Sequence, residues 1–342
     1  SAVIALKKKN YQLAHQKLLE ILRCNRNYSD AFFLLSKISS ENRNIDKAIE
    51  LIERAIILSA DNAKYHVEMV RCFSLKGDMK KTAEWIDKSI KLNLKSANDY
   101  GTIGVAYSYI GDHLNAKIMF EQAISKNNNE ADVYFNLASS LQYLGDFEGA
   151  REALENTIDI APKHCRAHAS LSQLGGITTQ NNHIKRLEKL ILGVNNIVDK
   201  LYLSHALAFE YESVNHYDKA FQVLKKVKRE RIKQLNYSFS DDLEMFTSLT
   251  EVFTDNTLQF SKGFDSEKAI FVVGMPRTGT TVVERIISNH SSVKSVGELN
   301  NFEWLLRQLT AVEDKFITKE TVLRATRVNF NELGKSYIES VL

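Results

Sequence analysis

The sequence predicts an α-solenoid followed by a short α/β segment built round an anion-binding loop. Three observations predict it. A 34-residue period runs from Ser29 to Pro162, and only 2 prolines occur in 342 residues. Beyond residue 267 an apolar β-branched run meets a glycine-bounded loop and then a helical pattern. With 44% apolar and 25% charged residues the chain has globular rather than disordered composition. Its 45 basic and 42 acidic side chains leave a net charge of +3 and form no face-long basic block, which argues against a general nucleic-acid surface.

Starting units at Ser29, Ala63, Ala97 and Ala131, the fourth place holds Phe32, His66, Tyr100 and Tyr134. The seventh holds Leu35, Met69, Ile103 and Leu137, and the eleventh Ser39, Phe73, Tyr107 and Leu141. At the fifteenth stand Arg43, Gly77, Gly111 and Gly145, where a turn between helices wants a left-handed residue. Ala48, Thr82, Ala116 and Ala150 occupy the twentieth, small enough for paired helices to approach. This pattern resembles the tetratricopeptide repeat. A degenerate half-unit precedes it, with Tyr11 and Ala14 at matching offsets. A further unit, Leu207, Ala208, Tyr211, Tyr217, Ala220 and Leu224, follows irregular helices expected near 164–174 and 183–192. Each hairpin buries too little alone, so stacking supplies the core. The resemblance implies a groove for a peptide or protein partner, with Lys64, Arg71, Asn98, Asp132, Phe135 and Gln142 at analogous positions.

Residues 225–233 are Lys-Lys-Val-Lys-Arg-Glu-Arg-Ile-Lys, either a solvated helix end or a contact for an acidic substrate or cofactor. Asp241 begins another helix, with Asp242 and Glu244 in its first turn and Leu243, Phe246, Leu249 and Phe253 expected inward. Polar residues 255–267 mark a boundary.

Next, Ile270, Phe271, Val272 and Val273 read as a short buried strand, and Val282, Val283, Ile286 and Ile287 as one face of a helix. Between them Gly274 and Gly279 have the G-x-x-x-x-G spacing of a phosphate-cradling loop. The first turn of a helix leaves its amides unpaired at the positive end of the macrodipole, so Gly279, Thr280 and Thr281 present donors to an oxyanion. A nucleotide triphosphatase needs Lys after the second Gly; Thr280 stands there, which disfavours a nucleotide kinase or hydrolase. The cation sits within the loop instead, at Arg277, whose planar guanidinium suits two-point anion recognition.

The run Pro276-Arg277-Thr278-Gly279-Thr280-Thr281 resembles the P-R-S-G-T-T loop of sulfotransferases, with Thr278 for the usual Ser. Similarity continues through Glu284-Arg285-Ile286-Ile287, His290, Val293 and Gly297-Glu298-Leu299, which looks like the tyrosylprotein sulfotransferase branch and its repeat-bearing bacterial relatives. The resemblance implies an α/β P-loop-like sulfotransferase domain using 3′-phosphoadenosine 5′-phosphosulfate (PAPS). It implies that Pro276, Arg277, Thr278, Gly279, Thr280 and Thr281 cradle the 5′-phosphosulfate, that Arg277 also assists transfer, and that Glu298 is the general base. Helices are expected near Phe302–Leu309 and over 321–342, with no later strand and helix for the cofactor's 3′-phosphate, so the domain is expected to be its N-terminal part only. The resulting plan is a repeat solenoid at 1–235, a helical connector at 236–267 and the sulfotransferase portion at 268–342. A competing plan is an interaction scaffold whose C-terminal portion is catalytically silent.

Cys24, Cys72 and Cys165 are odd in number and widely spaced, which argues against a disulfide framework and fits a reducing, cytoplasmic setting. No apolar stretch reaches the length of a membrane span, the N-terminus has the reverse of a signal-peptide pattern, and the absence of an initiating Met fits an excised fragment. His290 reads as a helix C-terminal residue. His164 and His168 have the spacing of two ligands on a helix, without a third ligand placed by the sequence.

Overall fold

The 34-residue period becomes structure through one backbone feature in the turn inside each helix pair. In the computed structural model, which describes residues 2–235, 237–254, 262–312 and 316–341, a left-handed residue recurs at Lys9, Arg43, Gly77, Gly111, Gly145 and Asn215. Their φ values are 54°, 60°, 86°, 84°, 79° and 63°. Each precedes by five positions a small side chain, Ala14, Ala48, Thr82, Ala116, Ala150 or Ala220, and none of these is more than 1% exposed. The residue after the left-handed one ends one helix and begins the next. Its amide reaches back, as in Asn44 N to Ser39 O (2.9 Å), Asp78 N to Phe73 O (3.1 Å), Asp112 N to Tyr107 O (2.9 Å) and Asp146 N to Leu141 O (2.9 Å). Its side chain accepts from the new helix, from Lys47, Lys81, Asn115 and Gly149 amides respectively.

Two compact units divide the chain, Ser1–Ile232 and Lys233–Leu342. In the first, helices pack in consecutive pairs: α1 (Ala2–Lys7) with α2 (Tyr11–Cys24), α3 (Ser29–Glu41) with α4 (Ile45–Leu58), and α5 (Ala63–Lys76) with α6 (Met79–Ile90). The series continues with α7 (Ala97–Tyr109) on α8 (His113–Lys126) and α9 (Ala131–Tyr143) on α10 (Phe147–Ile160). Shared side chains make neighbouring cores continuous: Leu51 belongs to the first two, Trp85 to the second and third, and Tyr107 to the third and fourth. The repeat reading is sound at this level, since every seventh-place residue, Leu35, Met69, Ile103 and Leu137, is buried. Gly104 shows how close the approach is: a Cβ there would sit 2.7 Å from the Phe120 ring.

The irregular pair is α11 (Cys165–Gln173) and α12 (Ile184–Leu192), both packed on α13 (Ile197–Ser213), with α14 (Tyr217–Gln234) following. A buried carboxylate ties this departure from the period together. Glu210 on α13 accepts from Ser172 Oγ (2.6 Å), from the His183 amide (2.5 Å) and pairs with His183 Nδ1 (2.9 Å). Burial raises its pKa, but the hydrogen bonds from His183 and Ser172 and the charge of His183 outweigh that and hold it below the ordinary range.

The second unit contains α15 (Phe239–Val252), α16 (Thr280–Ser288), α17 (Asn301–Thr310), α18 (Lys319–Ala325) and α19 (Phe330–Val341). α15 packs on α18, and α17 on both α18 and α19. Leu306, Ala325 and Leu333 form its small core with Phe253, Ile317 and Phe330 around them. Three expectations are corrected here. Leu243 and Phe246 do not face inward but are 56% and 62% exposed, while Ser248 is the buried residue of α15. The single helix expected over 321–342 is two, broken between Ala325 and Phe330. Most of the boundary expected at 255–267, namely 255–261, lies outside the described residues.

The third correction concerns the α/β expectation. Residues 270–273 form no strand, and Ile270, Phe271 and Val273 are 62%, 67% and 87% exposed. A strand exists only through ladder hydrogen bonds to a neighbour, and no strand occurs among the described residues. No helix among the described residues is long and apolar enough to cross a membrane.

Candidate functional site

The loop from Gly274 to Thr281 is organised by a tight turn. Thr278 donates to Met275 O twice, from its amide (3.2 Å) and from its hydroxyl (2.7 Å), closing Met275-Pro276-Arg277-Thr278. Pro276 suits the second position of such a turn, and the third requires positive φ, normally supplied by Gly. Here Arg277 supplies it, at φ 68°. An arginine in the left-handed region costs about 1 kcal/mol, a strain that points to a use for its side chain. Gly274 is required for a different reason: a Cβ there would lie 2.8 Å from Thr278 Oγ1 and 3.1 Å from Thr280 Cγ2. The loop folds back on its own backbone at that point.

Gly279, at φ 95°, is the N-cap of α16 and offers no side chain to the first turn. The amides of Gly279, Thr280 and Thr281 have no hydrogen-bond partner among the described residues, and the Thr280 and Thr281 hydroxyls likewise. Arg277 makes no ion pair among the described residues. An exposed guanidinium next to three free amides at a helix N-terminus is chemically an oxyanion receptor. The residues present therefore fit a phosphosulfate group. Thr278 differs from the others because its hydroxyl is committed to Met275 O.

Glu298 lies in the irregular segment before α17, exposed, directly after Gly297 at φ 70°. No hydrogen bond or ion pair joins it to the loop among the described residues. The intervening chain is anchored instead by Glu284, which accepts from Ser295 Oγ, and by His290, whose Nδ1 accepts from the Ser292 amide at 3.2 Å. His290 lies one residue beyond Asn289, the C-cap of α16, and its amide donates to Ile287 O (3.2 Å). His164 and His168, the pair with ligand-like spacing, also make structural contacts. His164 occupies the cap position of the repeat, accepting at Nδ1 from the Ala167 amide (3.0 Å), where Asn62 and Ser96 serve the same role in earlier units. His168 is buried against Pro162 O at 3.0 Å, and burial lowers its pKa. No cluster of metal-ligating residues occurs among the described residues.

A second concavity, of about 650 Å³, lies in the repeat unit between Phe33, Lys37, Lys64, Arg71, Asn98 and Thr102. Of the residues placed in the groove by analogy, Lys64, Arg71 and Asn98 line this concavity, whereas Phe135 is only 8% exposed and packs under Arg166. Arg71 is held by Glu41 (2.5 Å), Glu68 (3.0 Å) and Ser40 (2.6 Å). Burial pushes the Glu68 carboxyl up against the pull of Arg71 and Lys37. Sequence reasoning missed this cluster because Ser40 and Glu41 lie about one repeat from Arg71, and Glu68 and Arg71 alone are an ordinary i, i+3 pair.

Comparison with known proteins gives two independent matches. A family model described as "Sulfotransferase family" matches residues 269–336, and tetratricopeptide-repeat models match 100–129 and 131–164. A curated relative, an uncharacterised protein of Aquifex aeolicus (strain VF5), is 41% identical over 90 residues, which is 26% of this chain and 12% of that protein. Solved structures similar to it include PilF of Pseudomonas aeruginosa, at 16% identity over 59% of this chain and 90% of that one, with a TM-score of 0.48. The C-terminal part of a repeat protein from Cytophaga hutchinsonii is also 16% identical, over 69% and 98%, with a TM-score of 0.48. The chain thus carries tetratricopeptide repeats and, at 269–336, a stretch similar to the sulfotransferases.

Proposed function

We propose that the chain is a repeat-bearing sulfotransferase that moves a sulfuryl group from PAPS to a hydroxyl acceptor, protein tyrosine being the leading acceptor class. One observation carries this reading: Arg277, strained and without a counter-ion among the described residues, stands beside the free amides of Gly279, Thr280 and Thr281. PAPS, when bound, supplies the activated sulfuryl group and an oxyanion leaving group. Arg277 and the three amides hold and neutralise the phosphosulfate oxygens, with the Thr280 and Thr281 hydroxyls as further donors. Transfer of this kind depends on positioning and charge stabilisation rather than covalent chemistry by the protein. Glu298 takes the acceptor's proton, useful because a phenol of pKa about 10 stays protonated at neutral pH. The repeat concavity binds the acceptor or a partner chain. In domain terms, 1–235 is the binding solenoid, 236–267 the connector and 268–342 the transfer portion.

A second reading, an interaction scaffold with a silent C-terminal portion, is favoured by two observations, the exposure of Ile270, Phe271 and Val273 and the well-built repeat groove. Calorimetry with 3′-phosphoadenosine 5′-phosphate and transfer of labelled sulfate to tyrosine peptides and small alcohols separate the two. Arg277→Ala is expected to lower nucleotide affinity by about tenfold or more. Glu298→Gln keeps that affinity and slows transfer by about a hundredfold. Absence of nucleotide binding by the parent chain supports the scaffold, and a Glu298→Gln variant that transfers at the parent rate removes Glu298 from the mechanism.

A further inference from the structure

Helix α14 presents a surface that neither the anion loop nor the repeat groove uses. Its buried side carries Ala220 and Val227, at 1% and 4% exposure, with Val223 and Leu224 half-buried beside them. Roughly a third of a turn away runs a second stripe at helical spacing, Tyr217, Phe221, Lys225, Lys228 and Ile232. Its apolar members are open to solvent: Tyr217 is 63% exposed, Phe221 61% and Ile232 58%. Lys226 and Arg229 extend the stripe on its solvent side, and Arg231 borders it on the other. Of the acids of α14, Asp218 lies in the first turn and Glu230 pairs with Lys200 at 3.0 Å. Lys225, Lys226, Lys228 and Arg229 form no ion pair among the described residues, and the Lys225 ammonium lies 5.5 Å over the Phe221 ring.

We propose that α14 docks the chain peripherally on an anionic lipid surface. A helix end that is merely solvated needs no aromatic and aliphatic groups among its lysines, and an exposed apolar row is unfavourable in water. A phosphate backbone rewards the cations but gives Phe221 and Ile232 nothing to bury against. An anionic bilayer satisfies both: the apolar row enters the acyl boundary while Lys225, Lys226, Lys228 and Arg229 lie among the headgroup phosphates and carboxylates. Along the stripe two aromatic residues precede two lysines and Ile232 follows, and the Lys225 ammonium over the Phe221 ring sets a cation at the depth where headgroups begin.

Co-sedimentation of the whole chain with phosphatidylcholine vesicles, with and without about 30% phosphatidylserine, tests this. Binding to the anionic vesicles alone is expected, weakening about tenfold or more when salt is raised from about 0.1 to 0.5 M. Lys225→Glu with Lys228→Glu and Arg229→Glu is expected to lower binding by about tenfold or more. Phe221→Ser with Ile232→Ser, which leaves every charge in place, lowers it severalfold. Both sets lie on exposed positions, so unchanged helical circular dichroism accompanies the loss. No binding to phosphatidylserine vesicles overturns the proposal. So does full binding by Phe221→Ser/Ile232→Ser, which makes the surface a general polyanion contact. A DNA duplex that binds as tightly as the vesicles and is released by the same charge reversals also overturns it.

Discussion

Ile86 in the repeat unit is 1% exposed, whereas Ile286 in the C-terminal unit is 69% exposed, although both occupy the apolar face of an amphipathic helix. The helices are similar in pattern and differ in what lies beside them. α6 (Met79–Ile90) packs on α5, with Val67, Val70, Ile103 and Ala106 around Ile86. α16 has no buried side chain among the described residues. An amphipathic face predicts the need for a partner and not its presence. In a repeat the partner is a neighbouring unit of the same design, so every helix meets one by construction. An anion loop set between a strand and a helix needs a sheet whose other strands lie far off in sequence; Ile270, Phe271 and Val273 stand exposed, and no strand occurs among the described residues.

The sharpest way to test this contrast is the same substitution in both places. Ile86→Ala is expected to cost about 3 kcal/mol through lost burial and a residual cavity. Ile286→Ala is expected to cost less than about 0.5 kcal/mol. Urea unfolding followed by helical circular dichroism measures both, and equal losses erase the distinction between the units.

Next in size is Glu210→Ala, about 2 kcal/mol, because it strands the Ser172 hydroxyl and the His183 amide in a buried site. Its pH dependence has a defined sign. The folded carboxyl lies below its ordinary value of 4.5, so its contribution is fully present above that range and is lost as pH falls through the folded value. The gap between parent and variant midpoints should therefore narrow on acidification; a gap that widens contradicts the assignment.

The smallest effects compare the two left-handed arginines. Arg43 stands where later units carry Gly77, Gly111 and Gly145, and Arg277 stands at a turn position that Gly normally fills. Arg43→Gly and Arg277→Gly should each stabilise by about 0.5 to 1 kcal/mol through relief of φ strain, less the flexibility gained by the unfolded chain. Only Arg277→Gly should also abolish binding of 3′-phosphoadenosine 5′-phosphate. If Arg43→Gly and Arg277→Gly leave that binding equally intact, the strain at Arg277 serves no ligand.

What the sequence determined by itself is whatever depends on neighbours within one repeat. Tyr217, Ala220 and Leu224 were legible as a further unit because helical spacing and turn chemistry are local, and the Gly279-Thr280 junction announced a helix N-terminus for the same reason. The small residues Ala48, Thr82, Ala116 and Ala150 at the helix crossings were legible from period alone. Only the tertiary structure decided that Glu210 anchors the irregular pair, that Arg71 is tied to a preceding unit, and that His164 caps a helix. It also decided that Ile270, Phe271 and Val273 stay exposed and that Leu243 faces solvent. Apolar patterning states which side chains seek burial, and the free energy is gained only where distant chain supplies the surface that excludes water from them.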